Sequence, residues 1–206
     1  MTAAPSPPTI ESPFEHGPMD REQLTRIEGV HRGFLFQHVY AVALLLAHGR
    51  KPGAVLAVEF DEDIELAVGD AHWYIQVKTR LGAVVPSDLE GALERFDKIR
   101  AEHASGARPR QPKFAIVANS EPGPKLQQQL DGAGWSDDVQ LITPLRGARD
   151  DLPIAGADVD AMMNIATAIA DTIPVRGACT THTRVQARDP RPTGLGWRAR
   201  SSVRSC

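Results

Sequence analysis

From residue 33 to 47 the apolar side chains Phe34, Leu35, Val39, Val42, Leu45 and Leu46 recur at helical spacing, and Gly49 offers a C-cap. Apolar residues cover most of this helix, which argues for a central position. Two strand-like runs follow, 54–66 and 72–79, joined by Val68-Gly69-Asp70-Ala71. Ser87-Asp88-Leu89-Glu90 reads as a capping box. It opens a helix with Leu89, Leu93, Phe96 and Ile99 on one face, ending near Gly106. Phe114-Ala115-Ile116-Val117-Ala118 is a short continuous apolar run, as in a strand covered on both faces. A helix over 123–130, a strand over 139–142 and a helix over 159–173, stopped by Pro174, complete the pattern. It predicts an α/β protein: a mixed sheet with helices on its faces.

The ends differ from this body. Residues 1–20 include Pro5, Pro7, Pro8, Pro13 and Pro18, and are expected to be disordered. Residues 176–206 hold seven arginines and one acid, Asp189, in a chain whose net charge is −3. They read as a basic, disordered tail on an acidic body, able to touch nucleic acid. One domain is therefore expected over 21–175. The two cysteines, Cys179 and Cys206, exclude a disulfide scaffold and a Cys-based zinc module. The longest apolar stretch, 39–47, is far short of the ~20 residues of a membrane span. The N-terminus lacks the basic and apolar regions of a signal peptide. A cytoplasmic protein without membrane contact is expected.

The chemistry concentrates in the two strand runs. Side chains alternate along a strand, so Glu59, Asp61, Asp63 and Glu65 should share one face, opposite Val58, Phe60, Ile64 and Leu66. On the second run His72, Tyr74, Gln76 and Lys78 oppose Trp73, Ile75 and Val77. Gly69-Asp70 suits a two-residue hairpin turn. That register sets Asp63 opposite Gln76 and Asp61 opposite Lys78, within ~5.5 Å between Cβ atoms. Two readings follow from the residues alone. One is a solvated acidic strand paired with a lysine. The other is an oxygen-rich site for Mg²⁺ with a lysine placed to orient a water or balance phosphate charge. Like charges crowded on one face repel, and a bound cation relieves them. Arg108 and Arg110 are secondary candidates for phosphate contact, against an exposed loop.

An acidic residue, a hairpin and then Gln-x-Lys resembles the PD-(D/E)xK nuclease core in its Mrr-like form, where Gln stands for the usual Glu. The chain is more closely similar to the double-stranded DNA endonuclease domain of CD-NTase-associated effectors in bacterial anti-phage (CBASS) systems. The matching segments are Arg32-Gly33-Phe34-Leu35-Phe36-Gln37 with Tyr40, Val58-Glu59 with Glu62-Asp63-Ile64, Gln76-Val77-Lys78-Thr79, and 114–119. They span roughly residues 29–145. Glu62-Asp63 stands where the family often has two aspartates.

The resemblance implies a restriction-endonuclease-like mixed β-sheet core flanked by helices, and Mg²⁺-dependent (or Mn²⁺-dependent) phosphodiester hydrolysis. It implies Asp63 as metal carboxylate, Gln76 as second ligand and Lys78 as catalytic base or water-positioner. Glu59, as a further metal ligand, and Gln37 stand in second rank. The implied partners are double-stranded DNA, a second copy of the chain, and an activating sensor in trans, since no nucleotide-sensing domain is expected within the chain. The alternative is a restriction-endonuclease-like fold without activity, serving as a nucleic-acid-binding or protein-interaction module.

Overall fold

The computed structural model describes residues 20–132, 134–147 and 152–174. The segments expected to be disordered, 1–20 except Asp20 and 176–206, lie outside the described residues.

Helix α1 spans Arg21–His48, beginning twelve residues before the dense apolar periodicity of 33–47. Its N-cap is Asp20, whose carboxylate accepts from the amides of Glu22 (2.9 Å) and Gln23 (3.1 Å). The extra turns are exposed; Leu24, Ile27 and Val30 continue the helical spacing there, but sparsely and among charged residues. Gly49 does end the helix, with its amide donating to Leu45 O at 2.7 Å. Its backbone is right-handed. Glycine serves here because a Cβ would lie 2.6 Å from the Leu45 carbonyl. By length and composition alone α1 is long and apolar enough to cross a membrane, a test that the core helix of a soluble protein also passes. An uninterrupted apolar run stops at the first polar residue, whereas a helix-length stretch averages over it. In this fold Phe36, Tyr40 and Leu44 of α1 are buried in the core.

Five strands form one mixed sheet in the order β1 (Val55–Val58), β2 (Ile64–Val68), β3 (Ala71–Lys78), β4 (Gln111–Ala118), β5 (Val139–Ile142). The pairs β1–β2 and β2–β3 are antiparallel. The pairs β3–β4 and β4–β5 are parallel. The two parallel crossovers run through α2 (Glu90–Ala104) and α3 (Pro124–Asp131), and α4 (Val159–Asp171) follows β5. The protein is thus mixed α/β, a five-stranded sheet flanked by helices.

Two apolar layers cover the sheet. On one face α1 and α4 pack over Ile64, Leu66, Trp73, Ile75, Ala115 and Val117. On the other, Leu89, Ala92, Phe96 and Ile99, with Leu126 of α3, cover Tyr74, Phe114, Ile116 and Leu141. Strand β4 contributes to both layers, which explains its unbroken apolar run.

Two expectations need correction. The 54–66 run is not one strand. Glu59 takes a left-handed backbone (φ 57°), and its amide donates to Asp63 O at 3.1 Å. A loop over 59–63 therefore turns the chain, and Val58 pairs with Ile64. Apolar residues flank the loop on both sides, so the pattern reads through it. Phe60, assigned to the buried face, is 76% exposed. The second correction concerns the capping box. Asp88 closes a 3₁₀ turn, Pro86–Asp88, by accepting from Val85 N at 3.0 Å. Helix α2 then starts at Glu90 with no side-chain cap.

Candidate active site

The β2–β3 hairpin takes the register that a two-residue Gly69-Asp70 turn requires: Val68 pairs with Ala71 and Ile64 with Ile75. One step beyond, Asp63 meets Gln76 across the strands. Asp63 Oδ2 accepts from the Gln76 side-chain amide and from Val77 N, the latter at 2.7 Å. Gln76 Oε1 accepts from Arg95 Nη2 of α2, and Arg95 Nε donates to Glu62 Oε1 at 2.9 Å. A continuous chain of polar contacts therefore runs Asp63–Gln76–Arg95–Glu62. Lys78 follows two residues after Gln76, on the same face of β3 by strand alternation. Its electrostatic neighbours are Asp63, Arg95, Arg80 and Glu62.

Asp61 does not join this group. The loop turns it toward the Tyr74 end of the sheet, and its carboxylate accepts from Arg108 Nη1 at 2.6 Å. The expected Asp61–Lys78 pairing is not made, because the strand alternation that predicted it stops at Glu59. Arg108 also donates to Glu102 (2.5 Å) and to the Tyr74 hydroxyl (3.2 Å). It ties the loop to α2 instead of offering a free cation to phosphate. Arg110 has a left-handed backbone, and its carbonyl accepts from His103 Nδ1 at 3.1 Å. Nearby, Glu65 accepts from His72 Nε2 at 2.7 Å and from Asp61 N at 2.9 Å. From the far side of the loop, Gln37 Nε2 donates to Glu59 Oε1 (2.6 Å) and to Asp63 O (3.0 Å). Gln37 and Glu59 thus brace the loop that presents Asp63.

Burial governs the charges. It pushes the carboxyl groups of Asp63 and Glu62 above their ordinary values. For Asp63 the Val77 amide and Lys78 oppose this in part. For Glu62 the opposition comes from Arg95. Burial also lowers the Lys78 ammonium, partly offset by Asp63. The group sets two carboxylates against two cations and is partly dehydrated, with a lysine that gives up its proton more readily than a solvated one.

Among the described residues no three His, Cys, Asp or Glu side chains converge as a metal-binding group. Asp63 meets Gln76 through the amide NH₂, and the Gln76 oxygen faces Arg95; only with the amide turned over would a carboxylate and an amide oxygen face each other. Such a pair fits Mg²⁺, which keeps several waters and takes one or two protein oxygens. It does not fit a four-ligand Zn²⁺ cage. Sequence reasoning missed Arg95 and saw Glu62 only as a neighbour in a motif. The available signal was an arginine flanking the buried α2 stripe of Ala92, Phe96 and Ile99.

Comparison of the chain with family models, with curated proteins and with solved structures returned no match.

The raised Asp63 pKa leads to a stability prediction. The folded state holds this proton more tightly than the unfolded chain does. Ionisation therefore costs stability as pH rises from the ordinary value of 3.8 through the folded value, and the cost is complete above it. Asp63→Asn removes the charge and keeps an oxygen to accept from Val77 N. Without divalent metal, its melting temperature should exceed that of the wild type by a few degrees at pH 7. The difference should shrink toward pH 4. Calorimetry at the two pH values checks this, and an equal or lower midpoint at pH 7 would contradict it.

Proposed function

We propose that the chain is a divalent-metal-dependent endonuclease of double-stranded DNA with a restriction-endonuclease-like core, acting in the bacterial cytoplasm in anti-phage defence. The observation that carries this reading is the meeting of Asp63 with Gln76 and Val77 across the β2–β3 hairpin, with Lys78 two residues on. Bringing these residues to one side of the hairpin is what a Gln-x-Lys nuclease motif needs first, and it supports the reading.

In this reading Asp63 and Gln76 hold Mg²⁺ or Mn²⁺, and Glu59, braced by Gln37, adds negative charge nearby. When bound, the ion supplies Lewis-acid polarisation of the phosphate. Lys78 then has two tasks. Its depressed pKa suits it to accept a proton from the attacking water. Once protonated, it balances charge on the phosphate oxygens. The oxygen attacks phosphorus in line, the P–O bond to the leaving sugar breaks, and the sugar oxygen takes a proton from solvent. Double-stranded DNA is the substrate. A second copy of the chain and an activating sensor in trans are the partners this reading includes.

One observation favours the other reading, an inactive interaction module: Arg95 already occupies the Gln76 oxygen. The test is linearisation of supercoiled plasmid by the full chain over a Mg²⁺ and Mn²⁺ series. Cleavage that needs the metal and stops with a chelator supports the nuclease. Absence of cleavage at every metal concentration, with intact folding by circular dichroism, favours the module.

A further inference from the structure

Gln76 stands between an acid and a base. Its NH₂ group can only donate, and it faces Asp63, which as a carboxylate only accepts. Its oxygen can only accept, and it faces Arg95, which only donates. The partners thus determine the orientation of the amide. In this orientation the single oxygen of Gln76 faces the guanidinium, and Asp63 faces nitrogen. A cation held jointly by Asp63 and Gln76 needs the oxygen turned toward Asp63. That half-turn would set the NH₂ group against the Arg95 guanidinium, donor against donor. A cation on the second lone pair of the oxygen where it now lies would stand beside the guanidinium, positive charge against positive charge. Either way, the Arg95–Gln76 bond opposes metal ligation by Gln76.

Arg95 can release Gln76 while it keeps Glu62. Its side chain is 44% exposed, while its other partner, Glu62, is 1% exposed. The planar fork bridges the two acceptors from the solvent side. Removing the arginine from Gln76 alone need not break its bond to Glu62, because the two acceptors are held by different nitrogens, Nη2 and Nε.

We infer that Arg95 is a positioning residue that competes with the divalent cation for Gln76, so that its guanidinium weakens metal binding there. This rests on the proposed metal site and adds to it a built-in competitor: an arginine on α2 that opposes the metal. It predicts that deleting the guanidinium tightens metal binding, whereas deleting an ordinary metal-site neighbour would weaken it.

The experiment measures Mn²⁺ binding directly, by titration calorimetry on the full chain, for the wild type, Arg95→Met and Arg80→Met. Arg80 is the charge control: it too lies close enough to act on Lys78, but its partner is Asp88. Arg95→Met should bind Mn²⁺ on the order of tenfold more tightly than the wild type, the worth of one charge-assisted hydrogen bond. Arg80→Met should change far less. If Arg95→Met fails to fold, Glu62→Gln/Arg95→Met replaces it, since it leaves no buried carboxylate unpaired. Unchanged affinity in Arg95→Met, or an equal gain in Arg80→Met, overturns the competition. Plasmid cleavage by the wild type would then leave the nuclease reading standing. Tighter Mn²⁺ binding without cleavage by either protein supports the competition and removes the nuclease. Absence of Mn²⁺ binding in every variant overturns both.

Discussion

Plasmid cleavage by Lys78→Ala is expected to fall by about 10²–10³ relative to the wild type, the usual loss when one preorganised electrostatic group is removed. The loss should persist at every Mg²⁺ concentration, because Lys78 acts on the water and the phosphate. Asp63→Asn should fail differently. Gln76 is neutral, so Asp63 supplies most of the charge that would attract the cation, and raising Mg²⁺ should recover part of its activity. Lys78 is half-buried on a strand end, and its removal should change stability by no more than roughly 1 kcal/mol. A Mg²⁺ series for the three proteins, with folding monitored by circular dichroism, separates the two defects. Equal cleavage by all three would show that the chemistry lies elsewhere.

The largest stability effect should come from beneath this site. Phe114 of β4 is fully buried. Its ring centroid lies 4.8 Å from that of Phe96 on α2 and 5.8 Å from that of Tyr74 on β3. The Arg100 guanidinium stands 4.9 Å from the ring centre. Phe114→Ala should cost about 3–5 kcal/mol. That is a large part of the ~5–15 kcal/mol that holds a typical domain together. Phe114→Leu keeps most of the volume and should lose less than half as much. Leu145→Ala, at a side chain 85% exposed, should stay within about 0.5 kcal/mol. Urea midpoints at constant slope measure all three. A loss below ~1 kcal/mol for Phe114→Ala would contradict the tight packing of α2 on the sheet. Arg95 would be affected as well, since α2 carries it.

Local chemistry was legible along the chain wherever it depended on neighbours in sequence. The Gly69-Asp70 turn set the β2–β3 register, and with it the Asp63–Gln76 pair, because a two-residue turn leaves only one way to align its strands. The β5 boundaries, the stop of α4 before Pro174 and the two-sided burial of β4 were equally local. The first turns of α1 were read less well, because Leu24, Ile27 and Val30 continue the apolar period only sparsely among charged, exposed residues, and the Asp20 cap marks the start. The 59–63 loop was hidden for the opposite reason. Apolar residues on both sides mimic one strand, and a left-handed Glu59 is a backbone state that composition does not reveal.

What only the tertiary structure decided is which partner each charged side chain takes. Asp61 goes to Arg108, 47 residues away, Glu62 to Arg95, 33 away, and Gln37 to Glu59, 22 away. The packing of α2 on the sheet brings Arg95 to the Gln76 oxygen, so the arginine on that oxygen is a property of the fold. Spacing along a strand orders side chains on one face, but the charge that answers them comes from another element, and no local pattern encodes that distance.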